Sequence, residues 1–247
     1  MIFFQKLSQY KNLIHGVLER KDGPVNPFSV PKTEENILKA LEKIGYENFS
    51  EENLIFAEQV HGNKVYFCPP KIGGYIKLGV DGLISETTGQ ILIIYAADCL
   101  PILIYDPKRK RIGAIHAGKK GLIKGIIENA ILAFESDPSS LIIGIGPHIR
   151  SCCYDLKEDT EELKNDPQIR RYISKRNQKI YLDLTKIAID KLLKLGVKKE
   201  NIEDCKICTF CEAQRFYSFR KQLKEPEIYK DEGIRMPCFG SFIGLVL

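Results

Sequence analysis

Between Ile91 and Tyr105 the chain is almost continuously apolar and rich in β-branched residues, yet Asp98 and Pro101 sit inside the run. The stretch falls short of a membrane span, which needs about 20 apolar residues in succession. A strand exposed on one face alternates apolar with polar, whereas Ile91-Leu92-Ile93-Ile94-Tyr95 does not alternate and reads as buried on both faces. Ile102 to Tyr105 reads the same way, and Asp106-Pro107-Lys108 turns it. Two buried strands must therefore be joined by Ala97-Asp98-Cys99-Leu100-Pro101, a turn that carries an acid and a thiol. Arg111 to His116 makes a third strand.

Other segments read as both helix and strand. Helical periodicity runs over 33–45 through Ile37, Leu38, Leu41 and Ile44, over 121–134, and over 183–195, where Gly196 stops it. Short β-rich runs occupy 54–60, 64–68, 81–85 and 141–145, and Phe242 to Leu247 reads as a last strand. The polar stretch 157–179 reads as a helical insertion. No repeat, linker or low-complexity tract divides the 247 residues. The expected fold is α/β (mixed α+β): one domain over 1–247, a mixed sheet flanked by helices. The net charge of +5 comes from lysines scattered along the chain, which argues against nucleic acid and leaves room for a small anionic substrate. Met1-Ile2-Phe3-Phe4 is too short an apolar stretch for a secretory signal, so a cytoplasmic protein is expected, monomeric or homodimeric. In that compartment its eight cysteines are thiols or metal ligands rather than a disulfide framework.

Three segments look like parts of one metal site: Gln59-Val60-His61-Gly62, Ala97-Asp98-Cys99-Leu100-Pro101 and Ile115-His116-Ala117-Gly118. Each reads as a strand end running into a turn. Together they offer two imidazoles and one thiolate, a nitrogen and sulfur set that suits zinc and leaves a coordination position open. Taken singly, each His could be a hydrogen-bonded structural residue and Cys99 inert packing. Asp98 could orient a ligand histidine or cap a turn. After His116, Ala117-Gly118 allows close approach of a ligand, and Lys119 and Lys120 bring positive charge to the start of the expected 121–134 helix, a suitable place for phosphate. Phe216-Tyr217-Ser218-Phe219-Arg220 could stack a base or hold an anion, or simply pack. Cys205, Cys208 and Cys211, with Cys238 downstream, could hold a structural zinc. A ferredoxin cluster would need a further cysteine at position 215, where Arg215 stands. Cys152-Cys153 reads as a buried pair.

In their order and spacing these segments resemble the family first described as multicopper polyphenol oxidases (laccase-like) and later as purine nucleoside phosphorylase/adenosine deaminase enzymes. The resemblance runs through His15-Gly16 with Arg20 and Gly23, Gln59-Val60-His61-Gly62, Asp81-Gly82, Ala97 to Pro101, and His116-Ala117-Gly118 with Gly121. It continues through Gly146-Pro147, Cys152-Cys153-Tyr154, Asp183-Leu184, Cys208-Thr209 and Ser218-Phe219-Arg220. It implies one α/β domain without the cupredoxin domains of true laccases, and zinc on His61, Cys99 and His116, with copper as the alternative ion. It implies phosphorolysis of adenosine, inosine and 5′-methylthioadenosine, and deamination of adenosine. Purine nucleosides and phosphate are the expected partners, and Lys119, Lys120, Arg220, Gln59 and Asp98 the candidates to bind them. The chain departs from the family in one place: Lys119-Lys120 stands where Trp-Arg is usual after His-Ala-Gly. Three rival readings remain at this point: a copper-dependent phenol oxidase, a cysteine hydrolase with Cys99 and His116, and a zinc-binding interaction protein without catalysis. With four histidines in all, the chain is poorly equipped for a multicopper centre.

Overall fold

The computed structural model describes residues 1–70, 73–76, 79–156 and 167–246. The three apolar runs become β6 (Ile91–Ala96), β7 (Leu100–Asp106) and β8 (Arg111–Ala117). Along β6, Ile91 and Ile93 enter one core while Leu92 and Ile94 enter another. β7 divides in the same way, Ile102 and Ile104 to one side and Leu103 and Tyr105 to the other. Burial on both faces explains why neither run alternates with polar residues.

The mixed α/β class holds, and the strands divide between two sheets. One sheet has the order β1 (Leu13–Val17), β13 (Phe239–Leu245), β6, β2 (Leu54–Ala57), β4 (Gly74–Ile76). The other has the order β12 (Ile202–Asp204), β9 (Ile142–Ile145), β7, β8, β5 (Gly82–Ser85), β3 (Val65–Phe67). Each mixes parallel and antiparallel pairs; β2 runs parallel to β6, and β7 antiparallel to β8. The sheets share a core that includes Ile94 and Ile243 from the first and Leu103 and Ala114 from the second. Helix α1 (Thr33–Glu42) covers the outer face of the first sheet with Ile37 and Leu41. Helices α2 (Lys119–Lys124) and α3 (Ile126–Ala133) and the helix Leu184–Lys194 cover the second. Neither sheet closes into a cupredoxin barrel. Among the described residues, no helix is long and apolar enough to cross a membrane.

Several expected boundaries move for identifiable reasons. The helix expected over 121–134 is two helices, because Gly125 adopts φ +89°, a left-handed conformation that ends α2 and opens α3. The later helix starts at Leu184, where the Asp183 carboxylate accepts from the Lys186 N–H as an N-cap. The run 54–60 is strand only to Ala57, beyond which the chain leaves the sheet. Of the expected helical insertion at 157–179, residues 157–166 lie outside the described residues. The remainder is a short helix, Pro167–Arg170, and an antiparallel hairpin pairing β10 (Ile173–Arg176) with β11 (Lys179–Leu182), so the helical reading is corrected there. The last strand begins at Phe239, and residue 247 lies outside the described residues.

Phe134, just past α3, is completely buried between helix and sheet, whereas Leu132 on the same helix is 78% exposed. Phe134→Ala is therefore expected to lower the unfolding free energy by about 3–5 kcal/mol, the usual cost of an emptied aromatic site. Leu132→Ala should stay within about 0.5 kcal/mol of the parent. Guanidinium unfolding of both variants checks the contrast.

Candidate active site

Because β6 lies in one sheet and β7 in the other, the chain crosses between the sheets at Ala97-Asp98-Cys99. Cys99 stands at this crossing. His116 is the next-to-last residue of β8 beside it, with Pro101 directly opposite His116 in the ladder. His61 comes from the loop that follows β2. One ring nitrogen from each histidine and the Cys99 sulfur lie within 4.8 Å of one another. The two rings meet edge to face, with centroids 4.9 Å apart. His116 is buried, Cys99 half-buried and His61 exposed, so the three run from the floor of the site to its mouth.

Asp81, fully buried just before β5, holds this geometry. Its Oδ1 lies 2.8 Å from His116 Nδ1 and accepts the His61 backbone N–H at 2.9 Å. Its Oδ2 accepts the Gly62 N–H at 2.6 Å and the Val60 N–H at 3.3 Å. A carboxylate receiving Nδ1–H of an imidazole fixes its tautomer and leaves Nε2 as the ligand atom. The same carboxylate stabilises the left-handed turn at His61, φ 58°. Burial pushes the Asp81 carboxyl up, but hydrogen bonds from His116, Gly62 and Val60 and the charge of His116 bring it below its ordinary value. Gly118 completes the packing: a Cβ there would lie 2.8 Å from the Cys99 sulfur and 3.1 Å from His61 Cδ2.

The site also sets the charge of its own groups. Burial pushes the Cys99 thiol up, yet His116 and His61 outweigh it and bring it down to about 6. Burial pushes His116 down, and Cys99 and Asp81 outweigh it and raise it to about 9. A thiol lowered in this way, beside two imidazoles of which one has its second nitrogen on a carboxylate, offers the kind of donor set that could hold a metal ion. The other two histidines are committed elsewhere. His15 accepts the Phe4 N–H at 2.9 Å, and burial brings it down to about 4. His148 lies between the Gly146 carbonyl at 2.8 Å and the Thr185 hydroxyl at 2.6 Å, also held down to about 4 by burial. A multicopper centre would therefore have only His61 and His116 to draw upon.

The ligand set opens into a cavity of about 530 Å³ whose lining includes Lys119, Lys120, Tyr154, Phe219 and Arg220. Two other clefts of comparable size lie away from these residues. Lys119 and Lys120 open α2 rather than preceding it, since Gly118 is the N-cap. Arg220 reaches over the Tyr154 ring at 5.1 Å and donates to the Asp155 carbonyl at 3.0 Å. Gln59 lines the cavity too, with its amide bridging the Tyr95 backbone: Nε2 donates to Tyr95 O at 2.7 Å and Oε1 accepts from Tyr95 N at 2.9 Å.

Asp98 occupies a different place from the one a ligand-orienting carboxylate would take. Its Oδ1 accepts the Thr209 hydroxyl and its Oδ2 the Arg220 N–H, each at 2.6 Å. It thereby ties the crossing segment to the Cys208-Thr209 turn and to the helix Phe219–Lys224. Burial pushes its carboxyl up against the opposing effect of these donors. The carboxylate on a histidine is instead Asp81, whose Asp-Gly step in the sequence carries no local sign of that contact. The aromatic segment splits: Phe216 and Tyr217 are core, while Phe219 and Arg220 face the cavity. The cysteines regroup as well. Cys205 packs against the core between the sheets, Cys238 is buried in the lining of the same cavity, and Cys208 and Cys211 meet Cys152 and Cys153, which are not buried as a pair.

A family model described as "Multi-copper polyphenol oxidoreductase laccase" matches residues 27–226. A protein of Borreliella burgdorferi named "Purine nucleoside phosphorylase" is 32% identical over 201 residues, covering 76% of this chain and 84% of its own. One of Bacteroides thetaiotaomicron with the same name is 27% identical over 247 residues, covering 90% and 91%. The crystal structure of YlmD from Geobacillus stearothermophilus superimposes with a TM-score of 0.77 at 22% identity, covering 99% of this chain and 94% of that one, and so shares the fold. The chain belongs to the laccase-like multicopper polyphenol oxidoreductase family, among whose relatives the name purine nucleoside phosphorylase recurs.

Proposed function

We propose that this chain is a zinc-dependent purine nucleoside phosphorylase that also deaminates adenosine, with His61, Cys99 and His116 as metal ligands. The observation that carries the reading is the shared cavity: a two-imidazole, one-thiolate set opens into the same space as Lys119, Lys120 and Arg220. A metal position thus stands beside an anion position, in a volume within the range of small-molecule sites. Zinc on these ligands would act as a Lewis acid and lower the pKa of water to ~7.

The chain's own groups account for the remaining work. Lys119, Lys120 and Arg220 attract phosphate and hold it for attack at C1′ of adenosine, inosine or 5′-methylthioadenosine. A C–O bond forms there as the C–N bond breaks, and its electron pair leaves with the purine. The Phe219 and Tyr154 rings offer apolar surface to the base. In deamination, water adds at C6 of adenine and ammonia leaves. Asp81 keeps the His116 ring in place throughout. Lys119-Lys120 provides point charges without the planar fork of arginine, so phosphate is held by attraction more than by orientation.

A second reading, a cysteine hydrolase, draws on one observation: Cys99 is held as a thiolate beside His116. Chelator separates the two readings. Zinc-loaded protein incubated with adenosine and phosphate should yield adenine and ribose 1-phosphate, with inosine as the deamination product, all lost on chelation and restored by zinc. Inosine alone would refute the phosphorylase, and full turnover of an electrophilic substrate in chelator would favour the hydrolase. Cys99→Ala is expected to abolish both nucleoside activities; either one persisting at the parent rate removes Cys99 from the mechanism. Asp81→Asn loses a charge and an acceptor oxygen behind His116 and should weaken metal binding about 10- to 100-fold, measured by competition with a chromophoric chelator. Unchanged affinity would show that Asp81 serves the fold alone.

A further inference from the structure

On the far side of the Asp98 crossing, Cys152, Cys153, Cys208 and Cys211 bring four sulfurs within 4.8 Å of one another. The Cys153 and Cys211 sulfurs are 3.3 Å apart, and those of Cys152 and Cys211 3.9 Å. Two turns supply them: one follows β9, the other follows β12, and β9 and β12 are parallel neighbours in the second sheet. Four thiolates around one ion at a metal–sulfur distance of ~2.3 Å stand ~3.8 Å from each other in a tetrahedron. The observed separations bracket that value. A four-iron cluster interposes its own irons and sulfides between the thiolates and would need them farther apart.

The surroundings are those of a built site. Cys208-Thr209-Phe210-Cys211 has the C-x-x-C spacing by which one turn presents two sulfurs to one ion. The Arg150 backbone N–H donates to the Cys208 sulfur at 3.5 Å, and the Cys211 backbone N–H donates to it too. N–H groups aimed at a sulfur favour its thiolate form. Arg176 donates to the Ser151 carbonyl of the first turn, while Arg150 is paired with Asp204. Four sulfurs this close cannot all ionise unless a cation lies among them.

We propose that Cys152, Cys153, Cys208 and Cys211 form a second metal site that takes one thiophilic divalent ion of the zinc class, structural because all four positions are protein sulfur. Each thiol releases its proton to solvent as its sulfur binds. It shares no ligand with the His61, Cys99 and His116 group. Its mechanical role follows from its neighbours. Thr209, between the two ligands of the second turn, donates to Asp98 beside Cys99, and Tyr154, next to Cys153, lines the cavity. The ion would clamp the wall of the active site against the strand crossing.

The test separates the two sites by metal content. Protein purified under reducing, anaerobic conditions from zinc-supplemented cells is analysed for zinc per chain, as the parent, as Cys99→Ala, and as Cys99→Ala with Cys153→Ser and Cys211→Ser. One equivalent in Cys99→Ala and none in the triple variant is the expected result. Cobalt added to metal-free Cys99→Ala should give tetrahedral visible bands and intense sulfur-to-metal charge transfer in the near ultraviolet. This spectrum decides the matter even if the triple variant fails to fold. No zinc and no cobalt spectrum in Cys99→Ala, whether peptide mapping then finds free thiols or a disulfide between Cys153 and Cys211, overturns the proposal. Zinc in the parent beyond that in Cys99→Ala reports on the His61, Cys99, His116 site alone, so the two readings fail separately.

Discussion

One buried carboxylate sets the geometry of the centre. Asp81 receives three successive N–H groups of the loop that carries His61 and the Nδ1 of His116. Those partners lie 19 to 35 residues away in sequence. A fully buried anion is costly unless its oxygens are filled. Here the filling groups are themselves the parts of the site, so the requirement to satisfy Asp81 and the requirement to assemble the ligands are a single requirement. The loop after β2 and the end of β8 are brought into register by the same two oxygens.

Asp98 does for the cavity wall what Asp81 does for the ligands. It sits where the chain passes from one sheet to the other, and two other segments converge on its carboxylate, one bearing Thr209 and one bearing Arg220. Its φ of 91° is unusual for a residue with a side chain, and strained backbone of this kind concentrates at functional sites. Both acids interrupt otherwise apolar surroundings. The interruption of a greasy run by Asp98 is thus the mark of a place where three segments are fastened.

Much of this was legible in the sequence because it depends on short-range pattern. Non-alternating apolar runs announce strands covered on both faces, and the small residues beside His61, Cys99 and His116 mark segments that converge on one cleft, although His61 lies in a loop four residues past β2 and not at a strand end. What escaped sequence reasoning depends on tertiary pairing. No local pattern tells that β6 and β7 belong to different sheets, and periodicity ran across Gly125 because a helix broken by one left-handed residue keeps its apolar spacing. The sequence leaves Asp98 open between orienting a histidine and capping a turn, and Asp81 reaches His116 through the pairing of Gly82 with Ile115, which no local pattern announces. Cysteine spacing grouped Cys205 with Cys208 and Cys211, but the parallel pairing of β9 and β12 delivers Cys152 and Cys153 in its place.

The graded burial of the three ligands has a consequence for how the centre is filled and emptied. His116 and Cys99 stand at one end of the β7–β8 hairpin, while His61 stands exposed on a loop. An ion at the proposed centre would meet two donors held by paired strands and one at the mouth, so it could enter and leave without any strand separating. For the metal centre proposed above, exchange would then be set by the His61 loop at the mouth, which Asp81 fastens through three backbone N–H groups.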